Sequence, residues 1–242
     1  MKSLFIILIL FFSVNLFSQN ISGKVTYVLS LEPIQEKKID SMVAKSDFKN
    51  AKMEKMMRDI FKNTPDVNAY LEFNNQKSIY FVEDKMEVDG KAKLNMNRVL
   101  AGGDNKIYKN IKTKEYLKEN LRENLLIEKK EKKWKITQES KQIGKYVCFK
   151  AIDIESTNTK MKPIAWFTPQ IPVSFGPLEY NGLPGLVILV EMSKRTISAS
   201  KIVLNPKEKI EFKKLIKGDR ITEEKYNEKM KTLWNSINKN KE

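Results

Sequence analysis

The chain has 242 residues with 45 basic against 30 acidic side chains, a formal charge of +15, no histidine and a single cysteine. The missing imidazole excludes Ser-His-Asp and Cys-His nucleophilic sites and histidine-ligated zinc centres, and one cysteine excludes an intramolecular disulfide. Forty of the basic residues are lysine and five are arginine; this suits a solvated surface with weak attraction to an anionic membrane surface, not specific nucleic-acid recognition, which favours the arginine fork and aromatic platforms.

Residues 1–18 carry one basic residue at Lys2, an apolar run from Leu4 to Phe12 and a small Ser18 before Gln19. This is the pattern of a signal peptide, too short in its apolar run for the ~20 residues of a spanning helix. Cleavage near Ser18 would leave a periplasmic or secreted product. Residues 19–242 suit one domain, long enough to bury a core without cross-links.

Lys24 to Leu31 alternates as an opening strand. Pro33 suits a first helical turn, and Ile39, Met42 and Val43 begin a stripe that resumes at Met53, Met56, Met57, Ile60 and Phe61, a helix with a break near Ser46 and Asp47. Strand-like runs follow: Tyr70 to Phe73 and Ser78 to Val82 as a hairpin through Asn74, Asn75 and Gln76, then Lys85 to Val88, a turn at Asp89 and Gly90, Leu94 to Leu100, a turn over Ala101 to Asn105, Lys106 to Ile111, Glu123 to Lys129 and Trp134 to Thr137. Lys145 to Ile154 is apolar on both faces and reads as a central strand. Thr196 to Leu204 and Lys209 to Ile216 add two more strands. A last helix starts at Thr222, with Glu223 and Glu224 against its dipole and Tyr226, Met230, Leu233 and Ile237 on one face. Strands in succession without intervening helices predict an α+β fold, predominantly antiparallel β: a curved open sheet or half-barrel covered by an N-terminal helical excursion and a C-terminal helix.

Pro163 to Met192 holds five of the eight prolines and three of the nine glycines. Pro169 and Pro172 force an edge or an irregular crossing, Pro177 after Gly176 gives a turn, and Pro184 with Gly185 fits the central positions of a type II turn feeding an apolar strand from Leu186 to Val190. The run Tyr180-Asn-Gly-Leu-Pro-Gly-Leu-Val-Ile resembles the signature of the GLPGLI family of exported Bacteroidota proteins, with Gly182, Leu183, Pro184, Gly185 and Leu186 matched and Val187 in place of isoleucine. The blocks Ala165 to Pro177 and Trp134 to Ala151 are also similar to that family. The resemblance implies export, a single β-rich domain, company with outer-membrane transport systems and no settled activity. The paired strands around Tyr146 and Cys148 further resemble part of the half-barrel of periplasmic lipoprotein carriers, a likeness of fold that does not fix function.

Few residues offer chemistry. Ser46 to Lys49 spells S-x-x-K without the companion motifs of penicillin-recognising enzymes, and a helix cap explains it. Cys148 in an apolar strand reads as buried. Met53, Met56 and Met57 have the softness to bind Cu(I), but the spacing of a buried helix face or an adaptable greasy lid. Glu83, Asp84, Glu87 and Asp89 cluster without the spacing of a calcium loop and read as a solvated turn. No catalytic, cofactor or metal residues are expected. Trp166, Phe167, Phe175, Tyr180 and Leu183 are candidates for ligand or partner binding, against the plainer reading that they fill the core.

The expected function is that of a monomeric, non-enzymatic envelope protein that holds a lipid, peptide or partner segment on an apolar concave sheet lidded by the methionine helix. The alternative is an accessory module of an outer-membrane transport system that binds an envelope protein through residues 163–185. An enzyme lacking histidine is the remaining reading.

Overall fold

A computed structural model describes residues 21–45, 51–62, 64–83, 95–156 and 162–239. The signal-peptide reading, the S-x-x-K motif, the strand at Lys85 to Val88, the turn at Asp89 and Gly90, and all of the acidic cluster except Glu83 lie outside the described residues.

The described residues form twelve strands in one open sheet. Six run in chain order from the centre outward: β1 (Gly23–Leu31), β2 (Val67–Phe73), β3 (Lys77–Val82), β4 (Ile107–Asn110), β5 (Glu115–Asn120) and β6 (Leu125–Glu128). Their turns come from asparagines that satisfy the backbone locally: Asn74 Oδ1 accepts from the amides of Gln76 and Lys77 at 3.0 and 2.9 Å, and Asn110 Oδ1 from Lys112 and Thr113. The other half runs inward from an edge: β7 (Trp134–Ile143), β8 (Tyr146–Asp153), β9 (Ile164–Thr168), β10 (Leu186–Met192) and β11 (Arg195–Leu204). The halves meet where β1 pairs antiparallel with β11, from Gly23 opposite Leu204 to Leu31 opposite Arg195. Only β12 (Asp219–Thr222) is parallel to its neighbour, β6.

The sheet is strongly curved. Tyr27 on β1 donates its hydroxyl to the carbonyl of Val187 on β10 at 2.6 Å, although β11 stands between them and two strand spacings are about 10 Å in a flat sheet. The inner face carries Val25, Tyr27 and Leu29, then Ala69, Leu71 and Phe73, then Tyr80 and Val82, all in the main core cluster. This is the period-two burial that the alternating sequence of β1 predicts. In β10 the continuous apolar run is buried on both faces, with Leu186, Val187, Ile188 and Val190 at 2 % exposure or less.

Several expectations are corrected. Lys145 to Ile154 forms β8, second from the β7 edge rather than central, and Val147 is exposed. The expected strand to Leu100 is instead a short helix, α3 (Met96–Leu100), because Asn95 Oδ1 caps it by accepting from Asn97 N at 2.9 Å, and the buried Asn97 amide donates to the carbonyl of Pro65 at 3.0 Å. Strand β5 falls in a stretch too charged to suggest one. Its Glu119 is fully buried, accepting from the amides of Lys106 at 2.9 Å and Ile216 at 2.8 Å with the Lys106 ammonium at 3.2 Å. Lys209 to Ile216 is irregular rather than a strand, with no ladder partner among the described residues; it lies in the link that carries the chain from β11 at the centre to β12 at the far edge of the sheet.

Helices α1 (Glu36–Ala44) and α2 (Ala51–Lys62) pack on each other and are joined by the Arg58–Asp40 and Lys62–Glu36 ion pairs. Their buried residues, Ile39, Val43 and Ile60, lie outside the main core cluster. Helix α4 (Glu223–Lys239) starts at Thr222, whose hydroxyl accepts from Lys225 N at 3.4 Å, and packs on β12 and β6. It does not cover the sheet as expected: residues 227–236 are all exposed.

Candidate functional site

The proline- and glycine-rich segment fills the inner face of the sheet. Between β9 and β10, residues 169–185 form no helix or strand, yet Ile171, Val173, Phe175 and Leu183 belong to the main core. An irregular segment can be buried only if its polar backbone finds partners. Here the carbonyls of Ile171 and Phe175 accept from Leu186 N and Val187 N at 2.9 and 3.1 Å, and Ser174 O accepts from Gly182 N at 3.0 Å. The sheet supplies the rest: Trp134 Nε1 donates to Asn181 O at 2.9 Å, and buried Lys109 donates to Asn181 Oδ1 at 3.0 Å while pairing with Glu131 at 2.7 Å.

Gly185 differs from the expected type II turn. It is absent from the positive-φ residues, whereas Gly182 has φ +86°. What Gly185 supplies is space: a Cβ there would lie 2.2 Å from the Thr168 carbonyl oxygen. Gly176 is as tightly placed, with the Tyr180 carbonyl oxygen 2.0 Å from a Cβ position. The signature thus sets a positive φ at its first glycine and a backbone contact at its second.

The aromatic candidates are therefore interior. Trp166, Phe167, Phe175, Tyr180 and Leu183 are all buried; Phe175 stacks at 6.0 Å from Phe73 and Trp166 donates to Glu191 at 2.8 Å. The methionines divide: Met53 and Met56 are 43 % and 52 % exposed, and Met57 is partly buried, so α2 turns methionines outward instead of lidding the sheet. Cys148 is buried with its thiol 3.8 Å from the Tyr146 carbonyl, and burial pushes its pKa up to about 11 against the opposing Lys141 charge. Burial and the raised pKa both disfavour the thiolate that a nucleophile needs.

Midway along the filling segment, the partly buried Leu178 and Glu179 lie beside two adjoining hollows of about 180 and 640 Å³ that share Leu100, Glu179, Tyr180 and Arg195 in their walls. Five cations line them, Lys118, Lys129, Lys132, Lys194 and Arg195, against the carboxylates of Asp153, Glu155 and Glu179. The Lys132 ammonium is 2.8 Å from Asp153, 3.5 Å from Glu179 and 5.5 Å from the Tyr180 ring centre. Lys129 bonds Glu179 at 3.3 Å and also pairs with Glu223. Burial pushes the Glu179 carboxyl up, but the Lys132 and Lys129 charges outweigh it and hold the pKa below its ordinary value. Burial lowers Lys132, and the Asp153 hydrogen bond with the Glu179 charge carries it above its ordinary value. Burial, then the Glu179 charge, raises Tyr180. Both members of the Lys132–Glu179 pair thus stay charged at neutral pH.

Arg195 stands apart. Its Nε donates to Met192 Sδ at 3.2 Å, and its guanidinium has no carboxylate partner among the described residues. Neither Arg195 nor Lys132 was singled out from sequence: they come from β11 and from the approach to β7, and no spacing links them. The described residues hold no group of three or more His, Cys, Asp or Glu side chains arranged to hold a metal ion.

Residues 155–189, which include the buried segment and its signature, match the model of a family described as "Protein of unknown function (Porph_ging)". This is the family associated with GLPGLI-type Bacteroidota proteins, and the matched residues include the Gly182 to Leu186 run. No curated protein matches the chain significantly. Among solved structures it is similar to PNGF-II in a P21 space group, at 15 % identity and a TM-score of 0.51, and to PNGF-II in a C2 space group, at 16 % and 0.50. Each likeness covers 86 % of this chain but 32 % of the other, so the chain spans about a third of the solved chains it matches. At such identity the likeness concerns the fold alone.

Proposed function

We propose that the chain is an exported, non-enzymatic, monomeric binding protein of the cell envelope that takes an acidic peptide segment of a partner into the charged cleft around Arg195. The observation that carries this reading is the unpaired Arg195 guanidinium on the wall common to both hollows, where five cations outnumber three carboxylates. A guanidinium offers a carboxylate two parallel hydrogen bonds, which suits the acidic side chains or C-terminus of a peptide.

An apolar ligand on the inner face fits less well. Phe175, Ile171 and Leu183 already stand where it would lie, and a lipid would enter only by displacing the whole segment 169–185. Binding through the aromatic side chains of 163–185 meets the same obstacle, since they are inside. What that stretch offers a partner is the cleft beside Leu178–Tyr180.

Calorimetric titration of the mature protein with acidic peptides carrying a free C-terminal carboxylate tests the reading. Binding is expected, with Arg195→Gln weakening it tenfold or more and Arg195→Lys losing less. Peptides that bind equally well to wild type and Arg195→Gln, or not at all at millimolar concentration, would overturn it. Sequencing the N-terminus of protein recovered from its own cells tests export, with Gln19 as the expected first residue.

A further inference from the structure

We propose that helix α4 is an interfacial membrane contact, laying its outward stripe on an anionic lipid surface. The stripe begins against the body, where the Tyr226 hydroxyl accepts from Asn120 Nδ2 at 3.1 Å, and then runs off it: Met230 is 39 %, Leu233 47 % and Trp234 66 % exposed. At 100° per residue these side chains fall within about a quarter-turn of one another, a face narrow and continuous enough to lie in one plane.

Charge decides what covers it. The acids of the first turn are neutralised from the body, Glu223 by Lys129 and Glu224 by Lys130, while Glu115 of β5 and Glu123 of the turn that follows it are engaged by Arg220 at 2.7 Å and Lys229 at 3.2 Å. Lys231 flanks the apolar stripe on the side opposite Lys229, where its long side chain reaches headgroups while the ring of Trp234 sits at their depth. A second copy of a chain of charge +15 is repelled, and an anionic surface is attracted. No helix among the described residues is long and apolar enough to cross a membrane, so the contact lies on the surface. The proposal does not depend on what the cleft binds.

Co-sedimentation with vesicles of phosphatidylcholine alone, and of phosphatidylcholine mixed with phosphatidylglycerol, tests it. The mature protein is expected to pellet with the mixed vesicles and not the neutral ones, with blue-shifted tryptophan emission and release by added salt. The double variant Leu233→Ser, Trp234→Ser is expected to bind at least tenfold more weakly with an unchanged circular dichroism spectrum, and Trp234→Phe to bind but lose the blue shift. Three results would each overturn the proposal: no pelleting with mixed vesicles, equal pelleting of the double variant, or a wild-type dimer in sedimentation velocity that the double variant abolishes.

Discussion

Residues 169–185 and helix α4 invert what regularity is expected to signify. The first is an irregular segment rich in proline and glycine, yet its Phe175, Ile171 and Leu183 are among the largest fully buried side chains. The second is the longest helix described, yet ten successive residues of it are exposed. Helical hydrogen bonds are satisfied within the helix and need no tertiary partner, so α4 stands out from the body; a buried irregular segment must have every backbone group met by the surroundings and so tolerates no change of course. Rigidity here follows from the number of outside partners rather than from repeating dihedral angles.

Substitutions sharpen that contrast in order of size. Gly185→Ala presses a methyl group on the Thr168 carbonyl within a paired strand, and is expected to cost more than about 4 kcal/mol, read as failure to fold or as a collapse of the urea midpoint. Phe175→Ala removes a fully buried ring from the middle of the segment, a loss of about 3–5 kcal/mol by the same measurement. Tyr27→Phe deletes the hydroxyl that ties β1 to the Val187 carbonyl and leaves that oxygen short of a partner, about 1–3 kcal/mol. Trp234→Ala on α4 is expected to stay within about 0.5 kcal/mol of wild type, despite removing the larger ring. A Trp234→Ala loss as large as that of Phe175→Ala would break the comparison, because it would mean that α4 packs on the body in solution.

The sheet was largely legible because alternating apolar residues state which face is covered. The run of β1 was placed from that signal, β2 and β3 from strand-like runs about an asparagine-rich turn, β11 from its strand-like run, and the double-sided burial of β10 from its unbroken Leu186 to Val190. Failures share a cause: partners distant in sequence. The strand of Glu115 to Asn120 looks polar because Glu119 is neutralised by Lys106 and by the amide of Ile216, nearly a hundred residues later. Lys209 to Ile216 alternates as a strand should and has no ladder partner among the described residues. Helix α4 showed its amphipathic face in the sequence, but a stripe does not say whether protein or solvent lies beside it. The aromatic residues around the signature were recognised and their burial was the plainer of two readings, whereas the cleft went unseen. Its Lys132, the adjacent Glu179 and Tyr180, and Arg195 come from three parts of the chain far apart in sequence that meet only in the folded sheet.

The seam between β1 and β11 bears on how the protein reaches this state. The first strand of the described chain is central, and one of its two neighbours arrives about 170 residues later. During synthesis, β1 to β6 can pair in order as they emerge, but the free edge of β1 then stays bare, with Tyr27 and Leu29 uncovered until the second ladder is complete. Such long-range pairing makes folding slow, and the half-formed sheet is the species most open to aggregation. Residues 169–185 lie in the late half, so the inner face stays open until the same moment. The stretch that distinguishes the chain in sequence is thus among the last to take its place, and its docking closes the core and the seam together.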